Sequence, residues 1–156
     1  MRRFHLFGSC LAILLTTALY FSQVTTADAE TNDIVAILAN VQEGDTGIKR
    51  VGRMSFAPNG VLLVADIGTA SVVAIDTGDT GPVKKLKARV NDVDKKIAAA
   101  LGTNKEGINI ADMAVNPASG KIYVSVQRKA DGLNAIITFD QNGKLAPLNL
   151  KEARYV

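Results

Sequence analysis

The sequence predicts an all-β domain interrupted by a single α-helix and carried behind an N-terminal export segment. Three observations predict it. Short apolar runs of strand length alternate with turns rich in Gly, Pro and Asn. A three-strand pattern starts near Gly52 and returns at Asp112. One stretch, Asn91 to Gly102, combines helical periodicity with signals for both helix ends.

The export segment has to be set aside before the fold is read. Arg2 and Arg3 precede an apolar run from Leu6 to Phe21 containing "LAILLTTALYF", and Ala27-Asp28-Ala29 follows as a small-residue cleavage pattern, so cleavage is expected after Ala29. The run is slightly shorter than the eighteen or so residues of a spanning helix, which leaves a retained signal anchor as the rival reading. Cys10 lies inside the run, where a lipoprotein would carry its cysteine just after it, and Arg2-Arg3 lacks the flanking twin-arginine consensus. Residues 1–29 are thus read as a signal peptide, and 30–156 as one domain that is periplasmic or secreted.

Composition removes several chemistries. The only cysteine, Cys10, and the only histidine, His5, both fall within the segment to be removed, and tryptophan is absent. The exported chain would then have no disulfide, Cys/His zinc site, thiol nucleophile, Ser-His-Asp triad or His-bound haem. Arg2, Arg3 and Asp28 leave with the segment, so the formal charge of +3 becomes +2. No block of five like charges exists to serve as a polyanion-binding tail, and nucleic acid is not expected as a partner. The one basic cluster, "VKKLKAR" from Val83 to Arg89, reads as a solvated loop.

Taken in order, Ile34 to Leu38 is a strand candidate followed by a Gly/Asp-rich turn at Glu43 to Gly47. Arg53 to Phe56 forms the next, with Met54 and Phe56 on one face. Pro58-Asn59-Gly60 supplies a tight turn, since Asn and Gly accept positive φ. "VLLVAD" reads as a strand buried on both faces, Ile67 to Ala70 as a turn, and "SVVAID" as the third strand of the unit. The second copy, "DMAVNPASGKIYVSV" and then "AIITFD", matches Met113 to Met54, Pro117 to Pro58, Gly120 to Gly60, Ile122 to Leu62 and Val124 to Val64. Asp76 and Asp140 both precede a Gly-containing turn, and "KLAPLNL" from Lys144 to Leu150 adds an outer strand. Between the copies, "NDVDKKIAAALG" has Asn91 or Asp92 as N-cap, Gly102 as stop, and one stripe of Val93, Ile97 and Leu101.

"FAPNGVLLVADIGTASVVAID" and "MAVNPASGKIYVSV" with "AIITFD" resemble blades of the NHL, YVTN and gluconolactonase-like β-propellers. The pattern is similar to that of secreted propeller proteins of planctomycete-type bacteria. The likeness covers roughly Gly52 to Lys144. It implies an all-β fold of about two β-propeller-type blades, an incomplete propeller, with repeat units at about 52–81 and 112–150 and a helical insertion at about 91–102. Such rings usually close with four to eight blades. Two blades therefore imply a truncated product, an oligomer that self-associates through open blade edges, or a two-sheet sandwich, and truncation is the reading preferred from sequence.

Acidic residues are the remaining candidates for chemistry. Asp66 ends one strand and Asp112 begins another, and the resemblance to gluconolactonase-like propellers implies a divalent ion held by Asn and acidic side chains. Asn109, Asp112 and Asp66 are the metal candidates on that footing, calcium is the only cofactor considered, and no catalytic residue is assigned. The competing reading has Asp66 and Asp112 bonding turn amides. "DTGDTG" from Asp76 to Gly81 lacks EF-hand spacing and reads as an Asx-type turn. Ser125 with Lys121 is an unsupported nucleophile pair; Ser125 alternates with Val124 and Val126 and is able to face solvent. Tyr123 and Phe139 read as packing residues. The expected function is a non-enzymatic binding or scaffold protein whose ligand is a protein or small molecule, touching a membrane only through an uncleaved signal peptide. The alternative is a fragment of a divalent-metal-dependent lactonase-like hydrolase.

Overall fold

Among the described residues, two antiparallel sheets are joined by one complete α-helix. The computed structural model describes residues 37–156, so the expected signal segment and most of the strand candidate from Ile34 lie outside the described residues. Of that candidate, Ile37 is helical and Leu38 is in a turn. Strand β1 is Gln42–Gly44, β2 Val51–Ala57, β3 Val61–Asp66 and β4 Ser71–Asp76. Helix α1 is Val93–Ala100. Then come β5 Ile108–Val115, β6 Ile122–Arg128, β7 Asn134–Phe139, β8 Leu145–Pro147 and β9 Ala153–Tyr155.

The first sheet has the order β1-β9-β4-β3-β2 and the second β5-β6-β7-β8. Both repeat units fold alike. Phe56 pairs with Leu62 and Met54 with Val64 in the first, as Val115 pairs with Ile122 and Met113 with Val124 in the second. The turn chemistry explains the hairpins: Asn59 and Gly60 have φ of 57° and 74°, and Gly120 has φ of 76°. At the far end of each unit Asp76 accepts from the amide of Gly78, and Asp140 accepts from those of Asn142 and Lys144. Each is an Asx turn.

Equivalent positions in the two units point in the same rotational sense rather than toward each other. Met54, Leu62, Val64, Val73 and Ile75 of the first sheet pack with Tyr123 and Ile136 of the second. Their counterparts Val124, Ile137 and Phe139 point away from the first sheet and pack under α1 against Ile97, Ala98 and Leu101. The sheets are thus stacked head to tail, and the helix covers the face where a further unit of such a stack would sit. On the opposite side, Ile37 and Leu38 pack on Ala57, Val61 and Ala74 of the first sheet.

The helix follows its sequence signals at one end only. Gly102, with φ of 69°, donates to Ala99, and Thr103 donates to Ala98 at 2.9 Å, the two bonds of a Schellman stop. Asp92 occupies the N-cap in a left-handed conformation but its side chain makes no cap bond; it pairs instead with Lys95 at 3.0 Å. The C-terminal residues, which carry no turn signal, return to the first sheet. There β9 inserts between β1 and β4, and Val156 exchanges backbone hydrogen bonds with Ala74.

Candidate functional site

The segment joining the repeats, Thr77 to Asp92, has no regular structure, yet it organises one end of the molecule. Leaving β4, it passes the first Pro-Asn-Gly turn, where the hydroxyl of Thr77 donates to the carbonyl of Gly60 at 2.6 Å. A Cβ on Gly60 would stand 2.5 Å from the carbonyl oxygen of Asp79, so this glycine allows the close passage as well as the turn. The segment then reaches the matching turn of the second unit, where the amide of Lys84 donates to Ser119. Next it crosses the β7–β8 turn, where Lys87 donates to Gln141, and it enters α1.

Asp79 is the anchor of this crossing. Its Oδ2 accepts from Ser119 Oγ at 2.6 Å, from Asn116 Nδ2 at 3.0 Å and from Tyr123 Oη at 3.0 Å, while Lys121 Nζ lies 3.5 Å from Oδ1. Asn116 also donates to the Asp79 carbonyl at 2.6 Å. Desolvation pushes the Asp79 carboxyl up. Ser119, Tyr123, Asn116 and the Lys121 charge outweigh that push and hold it below the ordinary carboxylate value. Burial raises the Tyr123 phenol, with the adjacent Asp79 charge adding to it. A carboxylate lowered in this way is a weak general base, so the Ser119–Asp79 contact is a framework bond rather than an activated nucleophile.

A polar hollow and an apolar one lie beside the middle of the segment. The polar one, about 240 Å³, is bordered by Asp79, Lys84, Ser119, Lys121 and Asp140. The apolar one, about 280 Å³, lies between Leu86 and Val90 of the segment, Val93 of α1, and Met113, Val124 and Phe139 of the second sheet.

The metal candidates occupy different settings. Asp66 is buried, and its two oxygens accept from the amides of Lys49, Arg50 and Gly68 and from Thr69 Oγ1 at 2.8 to 3.0 Å. Burial alone would raise its pKa, but these four donors hold it well below the usual carboxylate range. Asp112 Oδ2 accepts from the amide of Met54 at 2.8 Å and so ties β5 to β2, edge strands of the two sheets. Asn109 is exposed, paired with Gln127 across β5–β6, and borders a shallow hollow with Arg50 and Ile67. Among the described residues no three acidic, His or Cys side chains are gathered as a metal group. Any cation bound by Asp66 would have to displace framework hydrogen bonds.

Ser125 is fully buried and donates to the carbonyl of Gly52 at 2.9 Å, so it links the sheets and does not face solvent. Tyr123 and Phe139 are both buried, and Tyr123 stacks edge-on against Phe56 with ring centroids 5.0 Å apart. Asp79 escaped sequence reading because its "DTGDTG" context resembles a plain turn. The hint available was a second Asp three residues after the one that caps the turn. No family model, curated protein or solved structure matches the chain.

Proposed function

We propose that the chain is an exported, β-propeller-type binding or scaffold module that holds a ligand or partner without transforming it. The observation that carries this reading is the same-sense stacking of two equivalent three-strand units, the arrangement by which propeller blades build a rigid frame for ligand-bearing loops. The chemistry of the carboxylates supports it: Asp66, Asp79 and Asp112 each accept hydrogen bonds that join separate segments. The hollows beside the inter-repeat segment are the places for a ligand, and the partner class is a small molecule or a protein. Self-association would use the far side of the first sheet, where Val72 is 65% exposed.

The test is to assay the full chain for hydrolysis of sugar lactones with and without millimolar calcium, alongside thermal melts under both conditions. The binding-module reading expects no hydrolysis and an unchanged melting temperature. Calcium-dependent turnover with a raised melting temperature would replace it with the lactonase-like hydrolase.

A further inference from the structure

The apolar hollow combines two features that point to one kind of occupant. Its walls are almost entirely hydrocarbon, with Arg89 the one charged side chain among them. Met113 is 61% exposed and Leu86 38%, so a patch of apolar surface at its mouth stays in water although α1 covers the rest of that sheet face. Arg89 borders this hollow, and Lys85 and Lys87 precede it in the same segment; none of the three pairs with an acidic side chain among the described residues. A hydrocarbon slot bordered by the unpaired Arg89 guanidinium, in a segment of positive charge, is complementary to an amphiphilic anion.

Size narrows the choice further. A hollow of about 280 Å³ is near the lower end for small-molecule sites. A stable protein interface needs about 800 Å² from each partner, far more than this handful of side chains provides. The lining has no amide or hydroxyl to orient a polar ring, which leaves a saturated chain as the matching shape. We propose that this groove binds a single-chain alkyl carboxylate taken as a monomer from solution, its chain between Leu86, Val90, Met113 and Phe139 and its head group against Arg89. The proposal deepens the binding-module reading and rests on it, but the two fail separately, because the lactone and calcium assays decide that reading alone.

Methionine methyl resonances read the groove directly. The chain has three methionines; Met54 is buried between the sheets and serves as internal control, while Met113 is at the groove mouth. The full chain, labelled at methionine methyls, is titrated with octanoate, decanoate and dodecanoate below their micelle thresholds. The Met113 methyl is expected to shift saturably with Met54 unmoved, the affinity rising up to about fourfold per methylene and levelling off once the groove is full. Decyltrimethylammonium should bind at least about tenfold more weakly than decanoate, since its charge faces cations. Arg89→Glu should weaken decanoate roughly three- to tenfold at low salt and leave decanol unchanged. Leu86→Glu, in an exposed loop, should abolish both, with an unchanged Met54 signal reporting intact folding. An immobile Met113 methyl, equal binding of the cationic amphiphile, a shift seen only with vesicles, or concentration-dependent broadening without ligand that indicates a second copy would each overturn the proposal.

Discussion

Replacing Asp79 should destabilise the protein more than replacing any exposed acid, and the size of the effect follows from what one oxygen atom does. Asp79 Oδ2 collects Ser119, Asn116 and Tyr123, all three of them buried, and the carboxylate itself is only 13% exposed. Each hydrogen bond to a charged acceptor contributes about 1.5–3 kcal/mol, but three donors sharing one atom are not additive. Asp79→Ala leaves all three donors unmatched and should cost about 4 kcal/mol. Asp79→Asn can keep its carbonyl toward them but turns an amide toward Lys121, and should cost about 2 kcal/mol. For a domain of this size the alanine variant should melt roughly 15 °C lower.

Urea melts at pH 7 measure both differences. The pH dependence then separates a carboxylate effect from simple packing. Because the folded-state pKa of Asp79 lies below its unfolded value near 3.8, its contribution is fully present above that value and is lost as pH falls through the folded one. The gap between wild type and Asp79→Ala should therefore narrow in acid. A loss under about 0.5 kcal/mol for Asp79→Ala at pH 7, or a gap that is constant down to pH 2, would refute the reasoning.

Other expectations are checked with the same melts. Asp66→Asn should cost about 2–4 kcal/mol, because an amide cannot accept on both sides from Lys49, Arg50, Gly68 and Thr69. The stability of the described domain should be level between about pH 5 and 9. It should fall in acid as the lowered carboxyls of Asp66 and Asp79 are protonated. It should fall again in strong base, because Tyr123, raised in the folded state, favours folding below its unfolded value near 10 and loses that contribution as pH rises through the folded one. Gly120→Ala should cost at least about 2 kcal/mol, since φ is 76° there and a Cβ would stand 2.5 Å from the carbonyl oxygen of Lys84. By contrast, Lys121→Met should change stability by less than about 1 kcal/mol, because its ion pair with Asp79 is long and its amine partly exposed.

Elements that rest on local chemistry are legible in the chain alone. "VLLVAD" and "SVVAID" are strands with the boundaries their turn residues impose, and Asn59-Gly60 and Gly120 place the hairpins because few other residues take their positive φ. Gly102 stops the helix for the same reason. Matching Met54 to Met113 and Leu62 to Ile122 also fixes the pairing register of both units. Packing sets which way each unit faces, since identical alternation puts Val64 against the other sheet and Val124 under the helix. It also sets the fate of the polar groups. Ser125 looks free to meet water by alternation alone, yet it is buried on Gly52, and Asp79 becomes a hub only because the turn from Asn116 to Ser119 is brought to it across some forty residues of chain. Short-range conformational preference is written residue by residue. Burial and hydrogen-bond partnership across sheets depend on which surfaces meet, and a pattern that repeats cannot say which copy of itself it will face.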